Sequence, residues 1–264
     1  MTIAACYLST EGVVFGADST ATMYVSGIGP GASGSEHQYG FAQKVFQVGE
    51  SNSTLGMAIW GLGGLADVSY RTLIAQFADS LQRQGANSMA AAAFHWSQFF
   101  WAAYSAILSP LLQEVQALKS KPSRTPDEER YLEYVLGTLS VGFCIGGYLK
   151  HDRTPAAYQV AYDPTMTGPV APVPLGLGMS RFWGCPNLID RLISGMDTGL
   201  AVAILHSGKW SGTTQELIDL SMPFCLGQPR DLPIREAIDW VHAAIYTTIK
   251  GMKFSHLAPV CGGQ

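Results

Sequence analysis

Two β-rich runs, residues 3 to 9 and 12 to 18, stand at the amino end with only Thr10-Glu11 between them. A link that short joins strands as an antiparallel hairpin, because parallel neighbours need a crossover of a dozen residues or more. A second pair follows, residues 43 to 48 and 54 to 60, around Gly49-Glu50-Ser51-Asn52-Ser53. Between the pairs, the Gly- and Ser-rich stretch from Gly27 to Gly40 reads as a mobile loop. Two hairpins ahead of any helical period commit the chain to antiparallel sheet rather than to alternating βαβ units.

Helical periodicity starts with Tyr70, Leu73, Ile74, Phe77, Ala78 and Leu81, which form one stripe. From Gln84 to Gln113 there is no Asp, Glu, Lys or Arg across 30 residues, longer than the ~20 that a membrane-spanning helix needs. The stretch is alanine-rich, however, and carries Asn87, His95, Gln98 and Pro110. Trp101, Tyr104, Leu108, Leu111, Val115 and Leu118 recur at helical spacing, so it reads as a core or subunit-interface helix. The charged stretch Lys119 to Glu129 reads as an exposed connection. It ends in Thr125-Pro126-Asp127-Glu128, a capping box with proline at the first helical position, and a brief helix is expected there. Strands are expected at Leu139 to Leu149 and Ala156 to Tyr162, about the turn His151-Asp152-Arg153-Thr154, with another at Pro172 to Met179. Helices dominate the remainder, the clearest from Pro233 to Lys250 with Ile234, Ile238, Val241, Ile245 and Ile249 on one face. No repeat or low-complexity tract divides the chain, which reads as one domain over residues 1 to 264.

Composition narrows the function. Hydrophobic residues make up 47% of the chain, enough for a large core. Charged residues are 14%, well below the usual ~25%, which points to a surface partly covered by other subunits. The net charge of -4, with scattered Lys and Arg, offers no basic stripe to nucleic acid and no polybasic patch to a membrane. Five cysteines, an odd number with no C-x-x-C spacing, argue against a disulfide framework and a zinc cluster. Reduced thiols and the absence of a signal-peptide pattern before Ser9-Thr10-Glu11 lead to a cytoplasmic expectation.

Few motifs carry chemistry. Gly61-Leu62-Gly63-Gly64-Leu65-Ala66 matches G-x-G-x-x-A after a strand, but two hairpins precede it and Asp79 falls within a helix, so a helix-entry glycine is preferred to a dinucleotide site. The six histidines form no H-x-x-x-H pair, and neither a G-x-S-x-G elbow nor a Walker loop is present. No cofactor and no metal are expected. The start of the chain is different: Thr2 already belongs to the first apolar run. A threonine hydroxyl is a weak nucleophile, but once Met1 is removed its own α-amine serves as base, with a reference pKa of ~7.7 to 8.0. On this reading the fold begins at residue 2 because the nucleophile does.

Thr2 followed by a strand, Glu11-Gly12-Val13-Val14-Phe15-Gly16-Ala17-Asp18-Ser19, Lys44-Val45-Phe46 and Gly63-Gly64-Leu65-Ala66-Asp67 before a helix together resemble the proteasome β-subunit family of N-terminal nucleophile hydrolases. Phe143 to Tyr148 is similar to a later core strand of that family, Gly184 to Leu192 to its bacterial proteasome-like subgroup Anbu, and the segment from Pro233 to its late core helix. The stretches near 95 to 135 and 197 to 230 lie outside the resemblance and read as helical insertions. The resemblance implies an α+β fold, a four-layer αββα sandwich of two antiparallel sheets, assembled into a homo-oligomeric ring or helical array. It implies that Thr2 is nucleophile and base, Lys44 a positive charge beside it, Asp18 the group holding that lysine, and the Gly63 N–H an oxyanion donor. Gly178 stands where the family carries a serine, and Ser180, two residues on, is the candidate for that role. The implied function is a threonine peptidase acting on peptides or unfolded protein, with an ATP-dependent unfoldase as a further partner. The resemblance also implies that the C-terminal sheet is cut short after Gln264.

Each site residue has a plainer alternative. Thr2 fits a strand start, Asp18 a turn acceptor, and Lys44 a solvated edge lysine. For the whole chain, the alternatives are a non-catalytic ring or scaffold subunit and a small-amide hydrolase of the same fold.

Overall fold

The computed structural model describes residues 2–25, 35–49, 54–66, 68–255 and 261–262. Eight α-helices and antiparallel strands occur among them, an α+β class. The chain divides into two compact units, residues 1–42 with 177–264, and residues 43–176.

β1 (Ile3–Ser9) and β2 (Gly12–Ala17) make the expected hairpin, with Ala4 opposite Ala17 and Ser9 opposite Gly12. The loop expected from Gly27 to Gly40 needs correction. β3 (Ala21–Val25) and β4 (Ser35–Tyr39) pair across it, and residues 26–34 lie outside the described residues. The polar run Ser35-Glu36-His37-Gln38 shows no apolar alternation, so nothing in the pattern signalled a strand.

The unit formed by residues 43–176 holds β5 (Val45–Val48) and β6 (Leu55–Gly61), then α1 (Tyr70–Gln84), α2 (Met89–Ile107), α3 (Ser109–Ser120) and α4 (Pro126–Leu139). β7 (Val141–Gly147), β8 (Ala156–Tyr162) and β9 (Val173–Pro174) complete a five-stranded sheet in sequential order. The second hairpin stands as expected, though the turn at residues 50–53 lies outside the described residues. Ile59, Phe143 and Val160 face one another across β6, β7 and β8. They pack with Phe77, Trp96, Phe100 and Tyr104 of α1 and α2 in one core cluster. Phe100 meets the Phe143 ring edge-on at 4.5 Å between centroids, a contact worth ~0.5–1.5 kcal/mol beyond its area.

The uncharged stretch is therefore core, but as two helices. The break falls at Leu108, where Pro110 in the first turn of α3 cannot donate back to α2. Tyr104, Leu108, Val115 and Leu118 are buried as the spacing predicts, while Leu111 is exposed on the far side of the break. No helix among the described residues is long and apolar enough to cross a membrane. Thr125 and Glu128 form the expected capping box, although α4 runs to Leu139 and is not brief.

The strand expected at Pro172 to Met179 is also corrected. β9 takes only two of those residues, and β10 (Met179–Gly184) begins where the expectation ended. β10 joins the first unit and pairs with the free edge of β1, giving the order β10-β1-β2. β1 is thus central and buried at every position. Then come α5 (Asn187–Ser194), α6 (Thr198–His206), α7 (Thr214–Ser221), a single 3-10 turn at Met222–Phe224, and α8 (Ile234–Lys253). Ala237, Val241 and Ile245 of α8 cover Ile3, Ala5, Tyr7 and Val14 on one face of this sheet. Gly16 permits that approach, since a Cβ there would lie 2.5 Å from Ile245 Cδ1. The apolar face of α8 is rotated from the isoleucine stripe: Ala244 and Thr248 are buried and Ile238 is exposed.

Candidate active site

Thr2 is buried immediately ahead of β1. Its carbonyl accepts a hydrogen bond from Cys185 N at 2.8 Å. The next residue along, Ile3, lies opposite Gly184. Gly184 has φ +86, and a Cβ there would stand 1.7 Å from the Thr2 carbonyl oxygen. Only glycine fits both the conformation and the space.

Asp18, one residue past β2, clamps the same spot from the other side. Its Oδ1 accepts from Ile3 N at 3.0 Å, and its own N–H donates to Ile3 O at 2.9 Å. Oδ2 accepts from Thr20 N at 3.2 Å and from Gly262 N at 3.1 Å. Asp18 is 3% exposed, and N–H donors of this kind offset the cost of holding a carboxylate away from water. Ser19 N donates back to Gly262 O at 3.2 Å, and a Cβ at Gly262 would lie 2.9 Å from Thr20 Oγ1. Residues 261 and 262 therefore dock against Asp18, with Cys261 buried in the cluster that contains Ile3 and Ala5. Met1, Asp67 and residues 256–260 lie outside the described residues.

Ser180 is not brought to Thr2. The β1–β10 register sets it opposite Tyr7, five positions along β1 and so about 17 Å away at ~3.3 Å per residue. Its hydroxyl oxygen accepts from Gln228 Nε2 at 3.0 Å and Trp240 Nε1 at 3.1 Å. That is the sheet face covered by α8, whereas Thr2 shares the parity of Ala4, Cys6 and Leu8. The antiparallel direction of β10 explains the correction, because the end of the strand nearest Thr2 is its C-terminal end. The residue found there is Cys185, buried and in no disulfide. Sequence reasoning weighed the cysteines only as disulfide or zinc ligands, and the signal for Cys185 is a register that exists only once β10 is paired.

Lys44 and Gly63 belong to the other unit. Lys44 precedes β5, and its carbonyl accepts from Ile59 N at 2.9 Å. It is 8% exposed, which rules out the solvated edge lysine, since lysines are almost never this buried without a partner for the ammonium. Gly63 lies in the turn leaving β6. Leu62 N donates to Ser140 O at 2.8 Å on one side, and Leu65 bridges Val68 on the other. The Gly63 N–H has no acceptor among the described residues, and a Cβ at Gly63 would meet nothing within 4 Å. An exposed amide beside open space is what an oxyanion donor requires. The G-x-G-x-x-A string does not open a helix directly, because α1 starts at Tyr70 under its own cap, Ser69, which accepts from Thr72 N. A groove of about 740 Å³ runs between β5 and α1 past Phe46, Val48, Arg71 and Ile74, and neither Lys44 nor Gly63 lines it. No family model matches this chain, and no curated protein matches it.

Proposed function

We propose that this chain is an N-terminal threonine hydrolase of the proteasome β-subunit type, a peptidase with the four-layer αββα architecture that acts as a homo-oligomer. The observation that carries this reading is the clamp on the first two residues of the fold: Cys185 N on the Thr2 carbonyl, Asp18 on both backbone groups of Ile3, and a glycine at 184 with no room for a side chain. A nucleophile needs that fixity, since a loosely held hydroxyl loses the advantage of orientation.

In the proposed reaction, whatever precedes Thr2 is removed and the freed α-amine takes the proton of the Thr2 hydroxyl. The oxygen attacks the peptide carbonyl, and the Gly63 N–H receives the resulting oxyanion. Lys44 contributes the positive charge that lowers the cost of the alkoxide, and Asp18 orients the head of β1. The protonated amine then passes its proton to the leaving nitrogen, so the C–N bond breaks and an ester on Thr2 remains. Water, deprotonated by the same amine, hydrolyses that ester and restores the hydroxyl. The test is turnover of unstructured peptides by protein whose first residue is Thr2. Cleavage that disappears in Thr2→Ala and in chains retaining Met1 is expected. Equal cleavage by all three would overturn the assignment.

A further inference from the structure

α6 is a nine-residue helix, Thr198–His206, in which no residue is buried, although its sequence TGLAVAILH is almost wholly apolar. Its order comes from its start, where Asp197 Oδ1 accepts from Leu200 N at 3.0 Å and the other carboxylate oxygen pairs with Arg191. A helix this short is marginal in water on propensity alone and draws its stability from burying a face. α6 packs beside α7, and α5 holds the end of α7 and the 3-10 turn in place: Leu226 N and Gly227 N donate to Leu192 O and Ile193 O, and Ser221 Oγ donates to Ser194 O. Leu220 is 60% exposed, Met222 56%, Phe224 87% and Leu226 73%, and on α6 Leu200 and Val202 are exposed as well.

Taken together, these six residues expose on the order of 750 Å², close to the ~800 Å² that each partner gives to a standard interface. Residues 198–208 and 220–226 contain no Asp, Glu, Lys or Arg. A charged ligand, nucleic acid or acidic peptide has nothing to pair with here, so the matching surface must itself be apolar and uncharged. A second copy of this chain supplies such a surface by symmetry, at the required area.

We propose that the face built by α6, the end of α7 and the Met222–Phe224 turn is the self-association surface of this chain, packed against the same face of a second copy. This names the contact behind the homo-oligomer of the proposed function and is independent of any role for Thr2. Sedimentation velocity at micromolar concentration tests it on the full chain. Wild type should sediment as an oligomer, and Leu220→Glu with Phe224→Glu should sediment at a smaller mass. Phe254→Glu, at the exposed end of α8, should leave the assembly unchanged. Both changed side chains of the double variant are exposed, and a circular dichroism melt checks that it folds. If it does not fold, hydrogen exchange of wild type over a dilution series decides, with protection of residues 198–226 falling at least tenfold as the oligomer dissociates. A monomeric wild type would overturn both the surface and the homo-oligomer. An oligomer that survives the double variant, or protection independent of dilution, would overturn the surface alone.

Discussion

Replacing Gly184 by alanine should disable the proposed nucleophile, Thr2, without changing its side chain. The new Cβ would sit 1.7 Å from the Thr2 carbonyl oxygen, at a residue whose φ is +86. Holding an L-residue in that left-handed conformation costs about 1–2 kcal/mol. Relieving the clash moves the carbonyl by more than an ångström and breaks its hydrogen bond from Cys185, a further loss of about 1 kcal/mol. Equilibrium unfolding in urea should therefore show a destabilisation of about 2–4 kcal/mol, with the midpoint lower and the slope unchanged. Turnover per folded molecule should fall about 100-fold, the scale for displacing a reacting group by about 1 Å. Gly147→Ala is the control: it has φ +135 and a Cβ that would lie 1.9 Å from the Thr54 carbonyl, so its strain is of the same kind, on β7. It should lose comparable stability and keep its turnover per folded molecule. Equal turnover in the two variants, or less than about 1 kcal/mol lost in Gly184→Ala, would refute the claim that Gly184 positions Thr2.

Asp18→Asn puts an amide N–H where a carboxylate oxygen now accepts from Ile3 N or from Thr20 and Gly262 N. It and Lys44→Ala should each reduce kcat by about 100-fold in a peptide assay, and Lys44→Arg should fail nearly as badly, because a planar guanidinium does not replace a compact ammonium. Ser180→Ala should act on stability instead. It orphans the Trp240 N–H and should cost about 1–3 kcal/mol in urea unfolding while kcat stays within a few-fold. Burial holds the His95 imidazole below its usual pKa, against the Phe77 ring and within reach of Ser80. The unfolded chain therefore takes up the proton first, and stability should fall as pH drops through about 6.5. Thermal melts between pH 5 and 8 should show that this component is absent from His95→Gln.

The features legible in sequence were those that depend on short-range pattern. The β1–β2 hairpin, the Tyr70–Phe77 stripe of α1 and the Thr125–Glu128 box each follow from spacing within a few residues, and each stands where expected. The failures have long-range causes. Ser180 and Cys185 are close in sequence, yet only the pairing of β10 with β1 decides which of them reaches Thr2. Gly262 on Asp18 joins residues 244 positions apart, and no local signal encodes that bond. The isoleucine stripe of α8 misjudged its buried face because Gly16 lets the helix approach over Val241 and Ile245, which draws in small residues such as Ala244 and leaves Ile238 in water. β4 was missed because a strand can be held by backbone pairing with no apolar alternation to announce it.

In the proposed reaction the Thr2 hydroxyl is the atom that attacks. An acylating β-lactone, added to protein whose first residue is Thr2 and followed by tryptic mass mapping, reads this directly. One added acyl group per active chain is expected, located on the peptide running from Thr2 to Lys44 and assigned to Thr2 by fragmentation. That group should be absent from chains retaining Met1, and its extent should match the lost turnover. An adduct on any other residue with Thr2 unmodified, or full acylation of chains that still carry Met1, would contradict it.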